Sequence, residues 1–502
     1  MRLPSLPTLL SGILFALEAT TAQAAPATRQ ASGSLAFLPQ QPLLTFKYST
    51  SSANAKNWVG VYHASGGGPD KEEFVEQSLA WAYAPQGEGT VKISATDLLP
   101  GDYKAFFLAN DGYKWLSEPV IFQVPFANRP VAFIVNEITL PNARQGDKYE
   151  AKISGLRIDG GSSTVKYSKV QGDDWVKVSA DGTISGTPNV SKTSKATVEI
   201  TASDGSSARL QATVPVRASG TSLVGNLAVM TYNLWHGGTQ VNGYHAKQVR
   251  FLASSGADVV GVQESTGGHA QRLGDALGWY SWQGSDVGII SKYPITTTHV
   301  HDSWGGYVEI ALGEDKVVLW NVHLGYTPYG PYDFCFDKMS VDKVLKREEE
   351  SKRTPQIKSV VKAMQTQLAN ADKVPVLLVG DFNAPSHMDW TDALKDKHCG
   401  QGYVPWPTSI EPTNAGLVDS FRVAHPDPKK ELGITWSPIF LTNEGRPEPM
   451  DRIDFVYHKG KKLAVADSKH LVVGSPKPEP NHADNEWTSD HAAVLTNYLF
   501  SK

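Results

Sequence analysis

The chain has 502 residues, enough for about three domains at a typical ~150 residues each, and it is 40% hydrophobic, 20% charged and 10% aromatic. That composition belongs to a globular chain and excludes a disordered, collagen-like or multi-pass membrane protein. Lys and Arg number 47 against 51 Asp and Glu, a net charge of −4 that excludes a massively basic nucleic-acid coat but leaves room for a small positive site.

Met1-Arg2 is followed by an apolar run (Leu9, Leu10, Ile13, Leu14, Phe15, Leu17) and by small residues at Ala22 and Ala24. This is the pattern of a secretory signal peptide over residues 1–24, too short for a membrane span. No later stretch reaches the ~18 uninterrupted apolar residues of a membrane helix, so a soluble, secreted protein is expected. An oxidising route makes pairing of Cys335 with Cys399 the leading expectation, with buried free thiols as the alternative. Two cysteines can build neither a disulfide framework nor a four-thiolate zinc site. Asn189-Val190-Ser191 is an N-glycosylation sequon.

Residues 33–126 alternate apolar segments (Leu43–Tyr48, Trp58–Tyr62, Thr90–Ile93, Tyr103–Leu108, Val120–Val124) with Gly, Pro and Asn-Asp-Gly turns, which predicts a β-sandwich. Phe126–Pro130 breaks the pattern. Residues 131–217 repeat the style, with Tyr149–Ile153, Thr164–Tyr167, Val176–Val178 and Ala196–Ala202 as strands. Their Asp181-Gly182-Thr183-Ile184-Ser185-Gly186-Thr187-Pro188 run resembles the end of cadherin-like immunoglobulin repeats. Neither β domain carries a chemical cluster, so both read as accessory: spacers, or modules that bind a surface or polymer.

From residue 225 to 502 strands and helices alternate, as in one large α/β domain. Val249, Leu252 and Ala253 keep helical spacing, Asp258–Glu264 reads as a strand, and Ile357, Val360, Val361, Met364 and Leu368 make a second helical stripe. Val374–Val379 is a buried-type strand that stops at Gly380.

Polar groups recur at the ends of these apolar strands: Asn233, Glu264, His323, Asp381 with Asn383, Asp454, and Asp490-His491. Burying charge is costly unless it is paired or metal-bound, so strand-end carboxylates are expected to share a site. The inventory suits attack on a phosphoester. A hard cation such as Mg²⁺, with Mn²⁺ as an alternative, needs the oxygens that Glu264, Asp490 and Asn233 supply. Asp381 is placed to orient or deprotonate water, Asn383 to donate to a phosphoryl oxygen, and His323 and His491 to meet developing negative charge. Three carboxylates, two His and no thiolate argue against structural zinc. Taken singly, Gly380-Asp381 is an ordinary turn, Asp490 a helix cap, and Asp454 an ion-pair partner of Arg452.

Together and in this order the motifs resemble the endonuclease/exonuclease/phosphatase (deoxyribonuclease-like) superfamily over about residues 225–502, most specifically in Gly380-Asp381-Phe382-Asn383 and Ser489-Asp490-His491. The resemblance implies a four-layer α/β/β/α sandwich with its site at one rim of the two sheets. It assigns metal binding to Glu264, with Asn233 close by and Asp490 on the metal side. It assigns water activation to Asp381, phosphate contact to Asn383 and His323, and catalysis to His491 paired with Asp454.

The substrate is less defined: nucleic acid, a phospholipid head group or a small phosphate ester. The aromatic insertion Gly325–Phe334 follows His323, and either its rings overhang the site or the loop packs on itself. The run Lys346–Arg353 reads as a solvated helix face. Inositide phosphatases of the superfamily carry a basic Tyr-Arg pair after Gly-Asp-Phe-Asn, where this chain has Ala384-Pro385-Ser386-His387. Lys292, Arg422, Lys429 and Lys430 are the local basic supply for a nuclease rim. A secreted divalent-metal-dependent phosphodiesterase is the leading reading. The rival is a catalytically decayed protein that binds surfaces or polymers through its β domains. The oligomeric state has no signal in the sequence.

Overall fold

The predicted segments of the N-terminal region pair into two sheets in a computed structural model, which describes residues 33–38, 44–64, 66–93, 98, 101–124, 131–158 and 164–501. Gly33–Leu38, Leu44–Thr50 and Glu88–Ile93 form one sheet, and Ala80–Tyr83, Trp58–His63, Gly101–Leu108 and Val120–Val124 the other. Phe46, Val59, Val61, Ile93 and Phe107 are fully buried in the core they share, as a sandwich requires. The signal-peptide segment and the break at Phe126–Pro130 lie outside the described residues.

The second β domain has a four-stranded sheet in the order Val165–Gly172, Ser194–Ala202, Ser207–Val214, Glu137–Thr139, with Tyr149–Lys152, Thr183–Gly186 and Lys177–Val178 as a three-stranded sheet. Its core is not closed. One apolar cluster runs from Ile184, Val198 and Leu210 through Leu156 to Leu273, Ala276 and Leu277 on the helix His269–Leu277 of the third domain. At Gly155 the approach is so close that a Cβ would lie 2.1 Å from the Asp275 carbonyl oxygen. Arg144 grips both carboxylate oxygens of Glu314 at 2.6 and 2.8 Å, and Asn142 donates to the Leu223 carbonyl at 3.0 Å. The domain therefore covers apolar surface of the third domain.

In the third domain two six-stranded sheets face each other. One has the order Tyr280–Gln283, Gly288–Ser291, Val259–Gln263, Asn226–Asn233, Ala493–Phe500, Leu463–Leu471; the other runs Ile295–Asp302, Gly305–Leu312, Asp315–His323, Val376–Asp381, Asp454–Lys459, Val418–Asp419. Val229, Val259, Ile289, Val308, Leu319 and Val379 fill the space between them. The stripe Ile357, Val360, Val361, Met364, Leu368 on helix Arg353–Ala369 packs against the outer face of the second sheet, and Val249 and Leu252 of helix Tyr244–Ser255 against the outer face of the first. The layers are therefore helix, sheet, sheet, helix. Each sheet centres on a parallel pair whose last residues are in register, Asn233 with Gln263 and His323 with Asp381. The antiparallel neighbour sets Asp454 opposite Asp381. Parallel strands end on the same side, so one rim collects the polar groups.

Candidate active site

Strand ends at this rim have unusual backbone. Trp235, His236, Glu264 and Asn383 all sit at φ between 51° and 56°, a left-handed conformation that costs roughly 1–3 kcal/mol per residue unless the surroundings impose it. Gly380 has φ 150°, and a Cβ there would lie 2.0 Å from the Val322 carbonyl oxygen. Only glycine lets the strand bearing Asp381 lie this close to the strand bearing His323. Beneath the rim a buried polar ladder ties the two sheets together. Gln263 donates to Asn321 Oδ1 at 2.6 Å, and Asn321 donates to the carbonyls of Val262 and Gly288 at 2.9 and 2.8 Å.

Asp381 lies at the centre. Asn233 Nδ2 donates to its Oδ2 at 3.0 Å and the Asn383 backbone N–H to its Oδ1 at 2.8 Å. His323 Nε2 and His491 Nε2 approach Oδ2 at 3.6 and 3.7 Å from either side. Burial pushes the Asp381 carboxyl up to about 6, against the pull of the His491 charge. His491 Nδ1 is held by Asp454 Oδ2 at 2.8 Å, and the Ser489 hydroxyl accepts from the His491 N–H while donating to the Asn233 carbonyl. Asp454 therefore pairs with His491 and not with Arg452, whose guanidinium is taken by Asp389 and Asp419. Burial lowers the basicity of His323, but the Asp286 hydrogen bond at 2.6 Å and the charges of Asp381 and Glu264 outweigh it and carry the ring to about 9.

Glu264 accepts the His236 backbone N–H at 2.5 Å and lies 3.4 Å from both His236 Nδ1 and Asn233 Nδ2. Burial pushes its carboxyl up, but the charges of His236 and His323 prevail and hold it below the usual range. Asp490 has chiefly the charge of His491, 3.9 Å from its Oδ1, to set against burial. Burial, with the Glu264 charge adding to it, raises Asp490 to about 8, and its Oδ1 is buried without a hydrogen-bond partner. A buried, orphaned carboxylate oxygen is costly unless a cation meets it. An all-oxygen set of buried carboxylates suits a hard divalent cation. Asp381, Asp454 and His491 also bring ligand atoms within 4.8 Å of one another, although the Asp454–His491 hydrogen bond already accounts for much of that closeness.

All eight residues singled out in the sequence meet at this rim. One of them presents a different atom from the one expected, and another is already engaged. Asn233 Oδ1 accepts the Trp235 N–H at 2.9 Å, so its nitrogen, not its oxygen, faces the carboxylates. The Asn383 carboxamide donates to the Leu324 carbonyl at 3.0 Å and lies 3.4 Å from Asp381, so a phosphoryl oxygen must compete for it.

The sequence singles out neither Asp286, which no motif marks, nor His236, which the left-handed turn after Asn233 carries over Glu264. The run Lys346–Arg353 is not wholly the solvated helix face expected of it. Glu348 and Arg353 form a fully buried pair, and Arg353 donates to the carbonyls of Gly325, Asn383 and Pro328, fastening the loops on both sides of the site. Two of the four basic residues offered for a nuclease rim are engaged elsewhere: Lys292 pairs with Asp258, and Arg422 is buried against Asp389. Of the aromatic insertion, Tyr326 overhangs the site while Tyr329 and Tyr332 turn inward to Asp451 and Glu448. His387 and His301 bond Ser409 and Ser359 away from the rim. Cys335 and Cys399 form a disulfide, closing a 64-residue separation.

The fold and the family it matches make the chain a phosphoric ester hydrolase. The Endonuclease/Exonuclease/phosphatase family model matches residues 230–491, and the chain belongs to that family. An Ig-domain family model matches residues 132–219. An uncharacterized protein of Caenorhabditis elegans is 31% identical over 290 residues, 55% of this chain and 91% of that one. Among solved structures, truncated C. elegans TDP2 is 16% identical with a TM-score of 0.36, covering 55% of this chain and 98% of that one. An endonuclease/exonuclease/phosphatase from Beutenbergia cavernae is 18% identical with a TM-score of 0.34, over 55% of this chain and 72% of its own.

Proposed function

We propose that the protein is a secreted, Mg²⁺-dependent phosphodiesterase, with Mn²⁺ able to substitute. The observation that carries this reading is the convergence of two histidines and two amides on the Asp381 carboxylate. Asp381 takes the proton of the attacking water and is held for in-line approach by Asn233 and the Asn383 N–H. His323, kept cationic near neutrality by Asp286, and His491, oriented by Asp454, donate to the phosphoryl oxygens as charge builds on them. Glu264 and Asp490 would hold the cation, which supplies Lewis acidity and offsets the surplus of buried carboxylates. The decayed-domain rival would have no reason to keep this costly cluster assembled.

Hydrolysis of bis(p-nitrophenyl) phosphate tests the reading. Turnover with Mg²⁺ or Mn²⁺ that chelator abolishes and added metal restores is expected. Absence of turnover with either metal, from protein that is folded, rejects it.

A further inference from the structure

The catalytic rim opens into a cleft of about 990 Å³ that is not built by the third domain alone. Phe74, Val75, Glu76 and Tyr113 of the first β-sandwich line it together with Glu264, Asp381 and His491. The sandwich is seated there through aromatic contacts. The His482 ring lies 6.1 Å from Trp81 and 4.9 Å from Trp235, and Gln240 donates to Gln77 at 3.5 Å. The segment carrying Phe74 is fastened within its own domain. The Trp115 indole donates to the Pro69 carbonyl and the Trp115 backbone N–H to Glu72, both at 2.9 Å. The Phe74 ring rests 5.6 Å from that of Tyr113. Yet Phe74 is 54% exposed, Val75 53% and Tyr326, from the catalytic domain, 71%. Apolar side chains fixed in place and left open beside a reaction centre are what a ligand-binding wall presents.

Charge narrows the ligand. The described lining residues include five carboxylates (Glu76, Glu264, Asp286, Asp381, Asp490) and a single Arg or Lys, Arg272. Arg272 is engaged by Gln248, His269 and the Gly237 carbonyl. A polyanion needs Lys and Arg along its track, so this cleft fits one phosphate better than many.

We propose that the first β-sandwich belongs to the substrate site: Phe74 and Val75, backed by Tyr113, form an apolar wall that receives an alkyl or aryl ester group of a compact, singly charged phosphodiester. This rests on the phosphodiesterase reading for the reacting centre, but its test does not need turnover. Binding of dimethyl, dibutyl and diphenyl phosphate to the full chain with Mg²⁺ is measured by calorimetry for wild type and for Phe74→Ser/Val75→Ser. Wild type binds diphenyl or dibutyl phosphate at least about tenfold more tightly than dimethyl phosphate, or about 1.4 kcal/mol. The larger preference identifies an aryl or an alkyl group. In the variant the preference falls below about threefold, while Ile121→Ser, at a 67% exposed site on the strand Val120–Val124 of the same sandwich, keeps it. No preference in wild type, an unchanged preference in the double variant, or tighter binding of oligothymidylate than of any of the three diesters overturns the proposal. Failure of bis(p-nitrophenyl) phosphate hydrolysis with these binding differences intact would instead reject the catalytic reading alone.

Discussion

A buried imidazole ordinarily loses basicity, and His323 gains it because Asp286 accepts from its Nδ1 at 2.6 Å while Asp381 and Glu264 add negative charge nearby. A ring carried up to about 9 stays cationic through neutral pH, and removing its partner lowers that value toward the ordinary ~6.5. Asp286→Asn should therefore shift the His323 titration, read by NMR of the ring proton, to lower pH. The alkaline limb of the kcat/KM profile should move down with it. A titration unmoved by the substitution would mean that Asp286 does not set the charge on His323. Asp286 was illegible in the sequence for a physical reason. It stands on a turn between strands, Gly284–Val287, and reaches His323 only because the two sheets face each other.

The strand is the element on which the site was legible. Mostly apolar strands lead up to Asn233, Glu264, His323 and Asp381 and then present a polar group, while Asp454 opens its strand, so these ends could be located without coordinates. The loops could not be located this way. Lys346–Arg353 is almost wholly charged, as a solvated helix face is, and nothing local reveals that Glu348 and Arg353 turn inward to each other at 2.5 Å. Breaking such a pair strands the remaining charge, at a cost of about 3–5 kcal/mol. Arg353→Met should lower unfolding free energy by that amount in urea titrations and also loosen the loops at Gly325 and Asn383. Glu348→Gln/Arg353→Met should recover part of the loss. Equal stability of Arg353→Met and wild type would show that the pair is idle.

Across the whole molecule the three domains are less separable than their sequence boundaries suggest. The boundaries expected near 33–126, 131–217 and 225–502 follow turn chemistry and pattern changes, and one apolar cluster runs across the second of them. Composition reports where a strand is. It does not report that Leu156 of one domain covers Leu273 and Leu277 of another, because surface that a partner domain buries reads the same as core. Deleting residues 131–219 should accordingly lower the thermal midpoint of the catalytic domain or leave it insoluble. An unchanged midpoint and unchanged turnover would return that domain to an accessory role.

Asp381 is the proposed base toward which both sheets deliver their polar ends. The most direct measurement is kcat for bis(p-nitrophenyl) phosphate in Asp381→Asn, with far-UV circular dichroism and the melting temperature recorded on the same sample. General-base removal typically costs 10²–10⁴-fold, so a fall of about a thousandfold in a folded protein is predicted. Turnover within about tenfold of wild type would contradict it.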